Sequence, residues 1–196
     1  TPMIYLEALR KIKQNYPLLP IVVTSYFNIV FQYGIERFIR DIKAAGASGL
    51  IIPEAVIEEG NELIEIGRKY NINVILIVGP NSSNERVEKI CKKSSGFIYV
   101  ASLSGVTGAR EDIGKYIKKT ISIIRNYSNI PVLVGFGIST PEHAKYVLES
   151  DADGFIIGSS IAKIYEKYIF NNEIRQKEIC LKEITEFVSK IRLVKK

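Results

Sequence analysis

Pro131–Ile164, PVLVGFGISTPEHAKYVLESDADGFIIGSSIAKI, decides how the rest of the chain is read. It parses as strand, Gly-X-Gly turn, helix, strand, Gly-Ser turn and short helix. Pro131–Gly135 is a β-branched run of strand length, too short for a helix. Gly135 and Gly137 flank Phe136, so the backbone there can approach a ligand with no Cβ in the way. Ser139-Thr140-Pro141-Glu142 is a helix start: hydroxyl N-cap, proline in the first turn, then an acid. Gly154–Ile157 is the next strand, and Gly158-Ser159-Ser160 opens a second, short helix with its free N–H groups outward. Two successive glycine-rich turns, the second at a helix N-terminus, suit an anion, because orphan N–H donors and the helix dipole both favour a phosphate. The bland alternative is that the same glycines only make tight turns.

Upstream, the same rhythm repeats. Thr1-Pro2 followed by an amphipathic segment reads as a capped helix with no strand before it. Strands are expected at Pro20–Ser25, Gly49–Pro53, Val74–Val78 and Gly96–Ala101. Tyr26–Gly34 is expected to be a loop, and helices are expected at Ile35–Ala45, Glu58–Tyr70, Asn84–Lys93 and Ile113–Asn126. Downstream, Glu173–Leu193 is expected to be a closing amphipathic helix. Apolar strands alternating with helices imply a parallel sheet covered by helices.

The fold class is therefore α/β, with about six strand–helix units in a single domain over residues 1–196. Closed (β/α)8 barrels, the TIM barrels, need eight such units in about 250 residues and often place phosphate at the loops after strands 7 and 8. The expectation is an incomplete TIM barrel, the C-terminal portion of a longer chain. An intact open doubly wound sheet is the alternative. With two units missing, the strands at Pro20–Ser25 and Gly154–Ile157 have open edges, which invite aggregation. The 196-residue chain alone is then expected to be poorly soluble or molten, and a sharp cooperative melt would contradict that.

Composition sets outer limits. Apolar residues make up 46% and charged residues 24%, ordinary for a globular domain, and no run approaches membrane-spanning length. The opening residues carry no signal-peptide pattern. The formal charge of +6 comes from lysines scattered along helix faces, without a basic stripe interleaved with aromatics, so neither nucleic acid nor membrane is an expected partner. Cys91 and Cys180 lie far apart on expected helices, which suggests neither a disulfide nor a metal site and fits a cytoplasmic protein. His143, the one histidine, is expected to be a solvated surface residue near a helix start, and it excludes a multi-histidine metal centre.

The loop Ser102–Arg110 has two glycines and three hydroxyls within Ser102–Gly108, the make-up of a mobile lid that excludes water, or of a plain surface loop. Tyr99 alternates with core-facing residues, so its hydroxyl either faces the mouth of the barrel or simply packs.

Together YVASLSGVTGAR, VGFGIS and ADGFIIGSSIAKI resemble the tryptophan synthase alpha subunit family. YFNIVFQYGIERFI and GASGLIIPE resemble the same family's segments around its third and fourth strands, and the likeness runs collinearly through essentially the whole chain. The resemblance implies a lyase that splits indole-3-glycerol phosphate by retro-aldol cleavage into indole and glyceraldehyde 3-phosphate, in tryptophan biosynthesis. It implies phosphate-binding backbone at Gly108, Gly137, Gly158 and Ser159, a lid threonine at Thr107, Tyr99 beside the reacting centre, and Phe136 against the indole. It implies no cofactor in this subunit, a pyridoxal-phosphate beta subunit as partner in an alpha2beta2 assembly, and a docking face around Tyr26-Phe27-Asn28 and Glu54–Glu58.

The family's catalytic glutamate and aspartate would lie before Thr1, and no segment here matches them. Glu54 stands where the family usually has aspartate, and Ala55-Val56-Ile57 replaces a proline-containing continuation. Two alternatives stay open: another phosphate-binding barrel isomerase or synthase, and a non-catalytic fragment that only binds ligand or the beta subunit.

Overall fold

Short β-branched runs bounded by Pro, Gly or Ser become strands, and amphipathic segments between them become helices. The computed structural model describes residues 2–54, 60–101, 110–135, 137–171 and 173–194, with backbone only at 110–113. The chain divides into two compact units: residues 1–78 with 83–98 and 127–130, and residues 79–82 with 99–126 and 131–196.

The first unit holds α1 (Pro2–Asn15), β1 (Val22–Thr24), α2 (Phe27–Tyr33), α3 (Ile35–Ala44), β2 (Gly49–Ile51), α4 (Asn61–Lys69), β3 (Asn73–Ile75), β4 (Ile77–Val78) and α5 (Asn84–Lys93). Strands β1, β2 and β3 are adjacent, parallel and in sequence order, with Val23 opposite Leu50 and Leu50 opposite Val74. The core of this unit comes from Leu50 and Val74 in the sheet and from helix stripes such as Phe38, Ile39 and Ile42 of α3. The expected strand Val74–Val78 is interrupted at Leu76. Beside the interruption, the hydroxyls of Ser95 and Ser94 accept from the N–H groups of Val74 (2.9 Å) and Leu76 (3.1 Å).

In the second unit, the last three residues of β5 (Ile98–Ala101) are followed by α6 (Arg110–Arg125), β6 (Val132–Gly135), α7 (Pro141–Glu149), β7 (Gly154–Ile156) and α8 (Ser159–Glu166). A two-stranded pair, β8 (Ile169–Phe170) and β9 (Glu173–Ile174), then leads to α9 (Lys177–Arg192). Strands β5, β6 and β7 again run in sequence order, with β6 and β7 parallel. Ile117, Ile121 and Ile124 form the buried stripe of α6, and Val132 and Val134 alternate inward on β6. Asp153 stitches β6 to β7: its carboxylate accepts from Val132 N–H at 2.7 Å and pairs with Arg125. A doubly wound sheet reverses its strand order at a switch point; within neither unit does the order reverse.

Four expectations need correction. Tyr26–Gly34 is not a loop: Phe27–Tyr33 is helical, although its β-branched and aromatic residues are modest helix formers. Tertiary contacts supply the difference, because Val30 is fully buried, Phe27 and Phe31 lie 6.0 Å apart, and Glu54 accepts from Phe27 N–H. The last helix starts at Lys177, after β8 and β9; Arg175 lies 3.9 Å over the Phe170 ring and donates from its N–H to Tyr168. Helix α6 begins at Arg110, three residues earlier than expected. His143 is half-buried, because it sits in the capped first turn of α7, where its N–H donates to Thr140 and its ring Nδ1 lies 3.3 Å from Ser139 Oγ. The expected open edges are present among the described residues, where β1 and β7 each pair on one side.

Candidate functional site

Residues expected around the phosphate fall in the second unit. Strand β6 ends at Gly135, and the chain turns through Gly137, whose φ of +31° lies in the region that favours glycine. A Cβ added at Gly137 would meet nothing within 4 Å among the described residues, so on that side it is not packed against them. The turn passes at once into the buried Ile138 and then into Thr140, the N-cap of α7.

The next βα turn is built differently. Strand β7 leads to Gly158, the N-cap of α8, and a Cβ there would also meet nothing within 4 Å among the described residues. Among the described residues no side chain caps α8, no acid stands in its first turn, and Ser159 is exposed. The first N–H groups of a helix have no intrahelical acceptor, so this end offers donors and a positive dipole to an anion. The two turns are tied together: Ser160, in the first turn of α8, donates its hydroxyl to the Ile138 carbonyl at 2.6 Å.

Tyr99 alternates with the buried Ile98 and Val100 on β5 and is itself half-buried. Its ring lies across Gly135, where any Cβ would collide with it. Gly135 therefore serves a tyrosine ring, whereas the sequence pointed to close approach of a ligand. Burial pushes the Tyr99 phenol above its ordinary pKa, so it stays protonated through neutral pH.

The structure thus brings Gly137 and Gly158–Ser160 together and sets Tyr99 against Gly135. Thr107, Gly108 and Phe136, like residues 55–58 of the expected docking face, lie outside the described residues. Among the described residues no cluster of three or more His, Cys, Asp or Glu has the geometry to hold a metal, and no helix is long and apolar enough to cross a membrane.

The first unit carries an open concavity of about 620 Å³, lined by Tyr26, Asn28, Ile29, Pro53 and Glu54. Tyr26, on its lining, is about two-thirds exposed. Glu54 does not stand free as a base: its carboxylate accepts from the N–H at the start of α2.

Sequence reasoning missed Ser160 and the cap made by Glu54. Each was present as a polar residue next to a glycine turn or a strand end, but its partner lies 22 or 27 residues away.

Parallel strands in sequence order, alternating with helices, with glycine turns after β6 and β7, define a chain of the (β/α)-barrel class. The family model described as tryptophan synthase alpha chain matches residues 1–194. The tryptophan synthase alpha chain of Methanocaldococcus jannaschii is 42% identical over 178 residues, which cover 90% of this chain and 63% of that one. Among solved structures, tryptophan synthase subunit alpha from Campylobacter jejuni matches with a TM-score of 0.81 at 33% identity, over 94% of this chain and 70% of that one. A chain of the tryptophan synthase a2b2 complex from Pyrococcus furiosus matches with a TM-score of 0.83 at 27% identity, over 95% and 72%. This chain belongs to the tryptophan synthase alpha chain family. It spans 63–64% of the length of the first curated relatives it matches. Its fold is that of the TIM-barrel family, and the open doubly wound alternative is set aside.

Proposed function

We propose that this chain is the phosphate-holding part of a tryptophan synthase alpha chain, a lyase that cleaves indole-3-glycerol phosphate to indole and glyceraldehyde 3-phosphate. The observation that carries the reading is the pair of open turns at Gly137 and Gly158, joined through Ser160 and Ile138, in a chain of that family. Backbone N–H groups of Gly137, Gly158 and Ser159 receive the phosphate, together with Gly108. Thr107 belongs to the covering loop, Phe136 flanks the indole, and Tyr99 donates near the reacting centre. Both compact units are read as parts of one domain.

Retro-aldol cleavage removes the proton of the side-chain hydroxyl, breaks the bond to the indole ring and delivers a proton to the ring carbon. Tyr99, protonated at neutral pH, is not the acceptor, and Glu54 is engaged at α2. The acid–base pair of the family has no counterpart among these 196 residues. This subunit works without a cofactor, and the pyridoxal phosphate belongs to the beta subunit. The segments around Tyr26-Phe27-Asn28 and Glu54–Glu58 form the docking face for that subunit in the cytoplasm, and the concavity bordered by Tyr26, Asn28 and Glu54 supports this. Because the acid–base pair is not among these residues, binding rather than turnover tests the reading: a calorimetric titration with indole-3-glycerol phosphate is expected to show saturable binding that glyceraldehyde 3-phosphate competes away, and binding that glyceraldehyde 3-phosphate leaves untouched rejects it.

A further inference from the structure

We propose that Ser160 is a positioning residue that locks the two glycine turns into one anion pocket; this rests on the phosphate reading above. A phosphate held by backbone donors needs those donors fixed to a few tenths of an ångström. Gly137 and Gly158 are poor at fixing themselves, since glycine has the freest backbone and neither is packed against the described residues. Something outside the turns has to hold them in register.

Ser160 is placed to do so. Helix α8 has no side-chain cap, so this first-turn hydroxyl is not spent on its own helix. It reaches back across 22 residues to the carbonyl of Ile138, the residue after Gly137, at 2.6 Å. A carbonyl has no proton, so the hydroxyl is the donor and its geometry is fixed by that bond. Ile138 itself is only 1% exposed, so the bond anchors the start of α8 to a packed residue. The same bond engages the negative end of a peptide dipole beside the pocket, where an unengaged carbonyl would repel an anion.

Indole-3-glycerol phosphate and its dephosphorylated counterpart, titrated into the protein and its Ser160 variants, separate this role from a general structural one. Ser160→Ala is expected to weaken the phosphorylated ligand about five- to tenfold, the worth of one lost hydrogen bond, and to leave the dephosphorylated one within about twofold. Ser160→Thr, which keeps the donor, restores affinity, and Ser160→Cys, a weaker donor of similar size, falls between. Equal losses for both ligands, no loss in S160A, or failure of threonine to rescue would each overturn the assignment. If the unsubstituted protein binds the two ligands equally, the phosphate reading itself fails, a result visible before any substitution is made.

Discussion

The N-termini of α7 and α8, on consecutive strand–helix units, are finished in opposite ways. Helix α7 is sealed by the chain: Thr140 accepts from His143 N–H at 3.3 Å, Pro141 removes one donor, and Glu142 places an acid in the first turn. Helix α8 has a glycine N-cap, no first-turn acid and, among the described residues, no capping side chain. Helix α2 shows a third solution, an end capped from outside by the Glu54 carboxylate. Sealed ends serve stability, since a hydroxyl cap contributes about 1 kcal/mol. An end left open forgoes that gain and keeps its donors for a ligand.

Closing the open end should have the largest effect. Gly158→Asp puts a carboxylate at the proposed phosphate site and is expected to cut affinity for indole-3-glycerol phosphate about a hundredfold, with stability changed by less than about 1 kcal/mol; a calorimetric titration beside a thermal melt checks both. Next, Gly135→Ala drives a methyl group into the Tyr99 ring and should cost about 1–3 kcal/mol by denaturant unfolding, as overpacked cores do. Opening the sealed end instead, by Thr140→Ala, should lower stability by about 1 kcal/mol while ligand affinity stays within about twofold. Removing the outside cap by Glu54→Ala should weaken association with the beta subunit about fivefold and leave phosphate binding unchanged; surface-immobilised beta subunit reads this directly.

The smallest effect concerns Glu36, whose carboxyl is held below its ordinary pKa by a hydrogen bond from Lys69 and then one from Tyr70. A depressed carboxyl stabilises the fold above its unfolded pKa and loses that contribution as pH falls through the folded value. Glu36→Gln should therefore reduce stability slightly at neutral pH and flatten its decline below about pH 4, as followed by thermal melts across that range.

Sequence was legible where the signal is local. The runs that become β6 and β7 were readable from β-branched residues bounded by Pro and Gly, α5 from Asn84 to Lys93 appeared with the expected bounds, and the Thr140–Pro141 start of α7 needed no tertiary knowledge. It was illegible where a distant partner decides. Nothing in FNIVFQY announces a helix, because the Glu54 cap comes from beyond β2. Gly135 looked like a ligand turn because the ring that occupies its open face belongs to β5. Of the site, Gly137 and Gly158 could be picked out as turns, but the bond that joins them could not, because a serine after glycine reads only as turn chemistry.

A crystal structure of the protein with indole-3-glycerol phosphate bound is the most direct test. The account predicts phosphate oxygens about 2.7–3.2 Å from the backbone nitrogens of Gly137, Gly158 and Ser159, with the Ser160–Ile138 bond intact. A phosphate seated elsewhere, with those nitrogens facing only solvent, would contradict it.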